Sequence, residues 1–322
     1  MSQVDWLSQL LQMITITGRL EVRCVYGAPW RVAWPQSAAH EIPYHVVLKG
    51  RAIVENPQAQ TTLELLAGDI VLLPHGSAHV LHDGSGREPG RTFNRHGSAG
   101  WMLSQNDGPG EPLDLLCGRF LIEPPHDRLL RNYLPTNLVV RAMDSDREEA
   151  VASASNHLAG LLELMRLEST GDKLGGCAML NALTSALFTL VLRAASESGQ
   201  APAGLLALVG HPRLAPAISA MFADPARPWT LPDLAELCSM SRATFMRHFQ
   251  DKLGRSAIEL LTDIRMSLAA NALKRPAMTT EAVADSVGYR SVAAFRRVFT
   301  ETMGMTPGQW RRLARAADYD AA

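Results

Sequence analysis

Apolar and polar positions change their period once along this chain. From Leu20 to about Glu123 the apolar residues fall in short runs, of which LEVRCVYG, YHVVLKGRAIVE, TLELLAGDIVLLP, HVLH and LDLLCGRFLIE are the clearest, parted by Gly, Pro and Asn. Such runs predict strands, and several of them at this spacing predict a small barrel or sandwich. Between Asp83 and Pro112 the chain is rich in Gly, Ser, Arg and Pro, which reads as a long loop. From about Arg147 the period becomes helical. Residues 148–166 predict one amphipathic helix and 176–198 another. The apolar surface of the second is wide enough to bury against a further helix, one from a second subunit included. SESGQAPAG (196–204) has no apolar period and reads as a linker. The opening MSQVDWLSQLLQMI reads as a short amphipathic helix and lacks the basic start and cleavage site of a signal peptide. The fold class expected is therefore α+β and multidomain: a small β-barrel over 1–145, a helical region over 146–204 and an all-α domain over 205–322.

An internal repeat near the end is the most specific feature. SRATFMRHFQDKLG (241–254) and SVAAFRRVFTETMG (291–304) share Ser, Ala, Phe, Arg, Phe and Gly at an offset of fifty residues. Ser241 and Ser291 suit helix N-caps, and Gly254 and Gly304 suit helix ends. Phe245 and Phe249 lie four apart on one helix face, as do Phe295 and Phe299, so Arg247 and Arg297 lie off the buried stripe. A short helical pattern precedes each copy, LPDLAELC and TTEAVADSVG, with Ala235 and Ala284 small where two helices must cross closely. Short helix, tight turn and serine-capped helix make a helix-turn-helix. Between the copies AIELLTDIRMSLAANAL (257–273) predicts a long helix, with Ile258, Leu261, Ile264, Leu268 and Ala272 at helical spacing. It suits a rigid spacer holding two recognition helices about one DNA turn (roughly 34 Å) apart.

These pieces, together with VADSVGYRSVAAFRRVF and the closing GMTPGQWRR, resemble the AraC family of bacterial transcription regulators over about one hundred residues. The resemblance implies a bipartite DNA-binding domain and usually an activator that contacts RNA polymerase. It places the DNA-facing positions at Ala243, Met246 and Arg247 in the first recognition helix, and at Val292, Ala293, Arg296 and Arg297 in the second. Arginine donates two bonds to guanine, so Arg247, Arg296 and Arg297 are the candidate base readers. Arg242, Lys252, Arg255, Arg290 and Arg311 are candidates for phosphate contacts. Taken one at a time, each arginine also reads as a solvated charge.

Charge adds little to this picture. The 322 residues carry a net charge of −1, with 47% hydrophobic and 20% charged residues. From His211 onward there are fifteen Lys/Arg against eleven Asp/Glu, a mildly basic end. No uninterrupted apolar run reaches the roughly 18 residues of a membrane span, and a cytoplasmic location is expected.

GDIVLLPHGSAHVLHD (68–83) places Gly68, Pro74, Gly76 and His79 at the spacing G-x5-P-x-G-x2-H, and so resembles the second motif of the cupin barrel that many AraC-type regulators carry as a sensor. Metal-binding cupins place H-x-H and then Glu earlier; here HEIPYHVVLKG holds His40, Glu41 and His45 without H-x-H. His45 and His79 are therefore candidate ligand-binding residues, with polar plugging of the barrel as the plain alternative. No cofactor is expected, and they are the sole candidates for a metal. His75 and His82 are expected to be exposed.

The four cysteines form no CxxC. Cys177 and Cys238 sit in apolar helical patterns and read as core. Cys24 and Cys117 fall in predicted strands near the two ends of the barrel. RCVYG, the 68–79 stretch and CGRF are similar to a subgroup of these regulators that responds to oxidants such as reactive chlorine, which implies Cys24 and Cys117 as redox-sensing candidates. Arg23 and Arg119 are the candidates to lower a thiol pKa. Packing as small hydrophobes is the other reading. The partners expected are double-stranded DNA, RNA polymerase, an oxidant or small-molecule effector, and a second copy of the chain. The competing reading is a cupin-type metal enzyme with a helical appendage.

Overall fold

A computed structural model describes residues 5–58, 60–97, 100–141, 149–171, 173–198 and 202–320. The expected boundary between 145 and 146 lies outside the described residues. The chain divides into two compact units: the described residues of 16–123 with 134–202, and those of 1–15 with 124–133 and 203–322. Two short helices, α1 (Trp6–Met13) and α2 (His126–Tyr133), thus belong to the second unit.

The first unit is built on eleven described strands: β1 (Ile16–Gly27), β2 (Arg31–Trp34), β3 (Glu41–Lys49), β4 (Arg51–Asn56), β5 (Thr61–Leu66), β6 (Asp69–Leu72), β7 (His79–His82), β8 (Thr92–His96), β9 (Met102–Asn106), β10 (Pro112–Ile122) and β11 (Leu138–Arg141). They form a seven-stranded sheet, β11-β6-β3-β10-β1-β9-β8, and a four-stranded sheet, β2-β7-β4-β5. The apolar faces of the two sheets meet in one core, with Cys24, Val47, Leu115 and Cys117 from the larger sheet and Val54, Leu65 and Leu81 from the smaller. This is the sheet-rich, cupin-like domain that the alternation of apolar residues predicts.

The stretch read as a loop between Asp83 and Pro112 contains two strands. β9 runs parallel to β1, and β8 pairs antiparallel with β9. Their sequences, MLSQN and TFNRH, carry few β-branched residues and no apolar alternation. The open edge of β1 supplies the hydrogen bonds that their own propensity does not announce, so tertiary context decides the outcome.

The outer face of the larger sheet is covered by α4 (Gly176–Glu197), and α3 (Glu149–Glu168) packs against α4. By length and composition α4 is apolar enough to cross a membrane, a property that the search for uninterrupted runs misses. Its face of Leu180, Thr184, Leu187, Phe188 and Val191 is buried. Ser185 Oγ accepts from the Gly18 amide at 2.9 Å, and the Phe188 ring lies 5.0 Å from Phe120. Gly18 is required there, because a Cβ would stand 2.5 Å from the Ser185 nitrogen.

The second unit is helical. After α5 (Leu205–Val209) and α6 (Ala215–Ala223) come α7 (Leu231–Leu237), α8 (Arg242–Leu253), α9 (Ala257–Lys274), α10 (Thr280–Ser286), α11 (Val292–Met303) and α12 (Pro307–Asp320). Pairs α7/α8 and α10/α11 are the two helix-turn-helix units, and α9 is the helix between them. The buried stripe of α9 includes Leu260, Leu261, Ile264, Met266 and Leu273, whereas Ile258 is 38% exposed. The stripe is thus shifted from the expected one, since α9 is covered on more than one side. α1 and α2 pack on it together with α10, α11 and α12.

Candidate functional site

The two recognition helices are built alike, residue by residue. Ser241 accepts from the Thr244 amide at 3.2 Å and Ser291 from the Ala294 amide at 3.3 Å, which starts each helix. Gly254 and Gly304, at φ of 69° and 72°, end them in the left-handed conformation that glycine adopts without strain. Phe245 and Phe249 are buried under α8, and Phe295 and Phe299 under α11. Ala235 and Ala284 are buried where the helices cross.

The faces opposite the phenylalanines are open. Arg242, Ala243, Met246 and Arg247 are exposed on α8. Ala293, Arg296 and Arg297 are exposed on α11, Val292 is half-buried, and Arg290 is exposed just before Ser291. Each helix therefore gathers its own candidate positions on one accessible face. Arg296 lies 3.4 Å from Glu281 of α10, an exposed ion pair. Of the candidate phosphate contacts, Arg311 donates to the Met278 carbonyl at 2.8 Å, and Arg255 lies over the Tyr133 ring.

Inside the other unit, β7 and β3 bring His79 and His45 together. Their Nε2 atoms are 2.7 Å apart, and Trp34 stacks on His79. His79 Nδ1 lies 2.8 Å from the Ser77 carbonyl, which can only accept. His79 therefore carries its proton on Nδ1, its Nε2 accepts, and His45 donates from Nε2. His45 Nδ1 and Trp34 Nε1 are buried with no hydrogen-bond partner. Burial, then the neighbouring His79, holds the His45 pKa well below the usual histidine value; burial also lowers that of His79, against the Ser77 bond.

This pair does not complete a cupin metal triad. The Glu41 carboxylate is 2.8 Å from Arg119. Among the described residues no group of three or more His, Cys, Asp or Glu is placed to hold a metal ion. His75 and His82 are half-buried, not exposed: His75 Nε2 reaches the Leu134 carbonyl at 3.2 Å, and His82 Nε2 lies 3.2 Å from Glu55.

Cys24 and Cys117 are free, buried thiols on β1 and β10. Cys117 pairs with Val22 across the two strands, so Cys24 is its diagonal neighbour on the core face. The contact with Cys117 lowers the Cys24 pKa, burial opposes it, and the Tyr26 hydroxyl lowers it further. Burial, then Cys24, pushes the Cys117 thiol well up. Arg23 and Arg119 do not fill the role expected of them. Arg23 is held in a two-pronged bond by Asp114 at 2.9 and 2.7 Å, and Arg119 is paired with Glu21 and Glu41. Tyr26 went unnoticed in the sequence although it follows Cys24 at strand spacing. Cys238 is buried as expected, but Cys177 is exposed in the first turn of α4, where an apolar helical pattern alone suggested core.

The cupin family model matches residues 5–197, and a helix-turn-helix domain model matches 234–313. An HTH-type transcriptional regulator of Haemophilus influenzae is 27% identical over 96% of this chain and 99% of its own length. The RCS-specific HTH-type transcriptional activator RclR of Escherichia coli is 28% identical over 97% of this chain and 99% of its own. The HTH-type transcriptional regulator MtrA of Neisseria gonorrhoeae is 28% identical over 96% and 98%. Among solved structures, the C-terminal domain of AraT from Geobacillus stearothermophilus is 32% identical over 32% of this chain and 86% of that one, with a TM-score of 0.31. With a cupin domain followed by paired helix-turn-helix units, the chain belongs to the AraC family of transcription regulators.

Proposed function

We propose that this regulator is a cytoplasmic activator that binds double-stranded DNA through α8 and α11, contacts RNA polymerase, and senses a two-electron oxidant through Cys24 and Cys117. It carries out no catalysis of its own in this reading. The observation that carries the sensing role is the placement of two free, buried thiols as diagonal neighbours on adjacent strands of the cupin core. The name of the Escherichia coli relative, an RCS-specific activator, supports the same chemistry.

In a regular ladder diagonal neighbours have Cα atoms about 7–8 Å apart. A disulfide spans about 4.4–6.8 Å. Closing the bond therefore pulls β1 against β10. Residues 14–15 join β1 to α1, and residues 123–125 join β10 to α2, and both helices pack on α9 between the two helix-turn-helix units. The chain itself thus links the thiol strands to the helix that spaces the recognition helices. A signal acts by binding or reacting differently with two such states.

The division into a sensor over 1–145, a helical region over 146–204 and a DNA-binding domain over 205–322 accompanies this reading. The helical region has a role in pairing subunits, supported by exposed Leu164, Leu167 and Met179 on α3 and α4. The proposed DNA contacts are Arg242, Ala243, Met246, Arg247, Arg290, Val292, Ala293, Arg296 and Arg297.

Binding to the DNA upstream of its own and neighbouring genes tests the proposal, with reduced and oxidised protein, for wild type, Cys24→Ala and Cys117→Ala. A change in affinity or footprint on oxidation that either substitution abolishes is expected. Specific binding indifferent to oxidant in all three proteins would overturn the thiol switch. It would favour a small polar ligand in the barrel, for which the unpartnered His45 Nδ1 and Trp34 Nε1 speak.

A further inference from the structure

Three neighbouring strands carry polar side chains at one level of the cupin domain. Ser104 on β9 lies directly opposite Cys24 on β1, and Asn94 on β8 lies directly opposite Ser104. Tyr26 follows Cys24 by two residues and points to the same core. Its hydroxyl is 2.7 Å from Ser104 Oγ, and Ser104 Oγ donates to Asn94 Oδ1 at 2.7 Å.

The direction of this row follows from its acceptor. An amide oxygen can only accept, so the Ser104 proton goes to Asn94 and the Ser104 oxygen accepts from Tyr26. The Tyr26 oxygen is then left with a free lone pair beside Cys24, the strand partner of Ser104. When Cys24 ionises, the Tyr26 O–H can turn from Ser104 to the sulfur. Cys24 is thus next to a hydroxyl, whereas Cys117 lies opposite His45 on β3, an imidazole that burial keeps neutral. Tyr26 and Ser104 are both buried and Asn94 is exposed, so the row is anchored at the surface.

We propose that Tyr26, held by Ser104 and Asn94, is a positioning residue that makes Cys24 the thiol attacking the oxidant and leaves Cys117 as the thiol that resolves the product. With hypochlorous acid, the Cys24 sulfur takes the chlorine, and hydroxide leaves with the Cys24 proton as water. The Cys117 sulfur then displaces chloride and releases its own proton. Two thiols and one hypochlorous acid become one disulfide, water and HCl. The purpose of this order rests on the redox reading above, but the order itself is measurable without it.

The reduced full-length protein is treated with methyl methanethiosulfonate across a pH series, and each cysteine is followed separately by mass spectrometry. In the wild type Cys24 reacts first. Tyr26→Phe keeps the ring beside Trp30, 5.9 Å away, and removes only the hydroxyl. It should slow Cys24 about tenfold near neutral pH and move its profile to higher pH, with Cys117 unchanged. Ser104→Ala frees the Tyr26 hydroxyl for the thiolate, so the Cys24 profile should move the opposite way. An unchanged Cys24 profile in Tyr26→Phe, or a shift in the same direction in both variants, overturns the proposal. Wild-type DNA binding indifferent to oxidant would instead sink the redox reading, while the order of reactivity stood.

Discussion

Asn271 Oδ1 accepts from His126 Nε2 at 2.9 Å, and the same carboxamide donates from Nδ2 to the Met13 carbonyl at 2.6 Å. One side chain of α9 therefore holds the end of α1 and the beginning of α2. Around it, Tyr133 donates to Asp263 at 2.7 Å, and Arg128 donates to the Thr302 carbonyl. Asn271→Ala removes both bonds and should weaken the docking of these helices by about 1–3 kcal/mol. Hydrogen exchange over 6–13 and 126–133 should rise while that of α8 stays as it was. Unchanged protection of both segments would mean that apolar packing alone, through Leu7, Leu10, Leu129 and Leu130, holds them.

Arg247→Ala and Arg297→Ala should each cost about 1–3 kcal/mol at a specific site and relax the base preference at one position. Lys252→Ala should weaken binding to all sequences about equally and reduce the salt dependence. Arg296 differs, because its guanidinium is 3.4 Å from Glu281. Such an exposed pair is worth at most about 1 kcal/mol, so Glu281→Gln should strengthen DNA binding slightly at low salt, and the gain should vanish at high salt. Titrations at two salt concentrations decide this; equal affinity at low salt would place Arg296 away from the DNA.

How much of this was legible beforehand depended on whether a residue's partners lie near it in sequence. The recognition helices were readable because Ser241, Phe245, Phe249 and Gly254 cap, pack and stop one helix by local rules, and the second copy repeats them. His45 and His79 were singled out as barrel residues from motif spacing, and the structure brings their rings together. β8 and β9 were not, because their pairing comes from the edge of β1. The surroundings of the thiols were missed for the same reason: Ser104 sits in the stretch read as loop, and Arg23 and Arg119 are taken up by three carboxylates, each distant in sequence from its arginine. Adjacency along the chain said nothing of the face on which Asp114 or Glu41 would stand.

Gly288, in the turn of the second helix-turn-helix, is pressed against the segment that precedes α7. Its φ is +83°, and a Cβ there would lie 2.2 Å from the Ala226 carbonyl oxygen. Gly288→Ala incurs both a left-handed backbone cost of about 1–3 kcal/mol and this clash. The variant should lower the unfolding temperature of the helical unit and reduce specific DNA binding with it. A fully stable variant with normal binding would show that the turn can reopen at no cost.

The histidine pair makes the stability of the sensor depend on pH. In the folded state burial keeps His45 and His79 neutral, with pKa values below the ordinary one. Unfolded histidines take up a proton near pH 6.5. Below that pH the unfolded chain binds more protons than the folded one, so the contribution is complete above about pH 6.5 and is lost as the pH falls toward the folded pKa values. Calorimetry at about pH 7.5 and about pH 5.5 should show the sensor transition moving down in acid. The double substitution His45→Gln with His79→Gln keeps polar groups in the core but removes the titration, and should flatten that dependence. If the acid shift persisted unchanged in the double variant, other groups would be its source, and the buried pair would be titrating no differently from unfolded histidine.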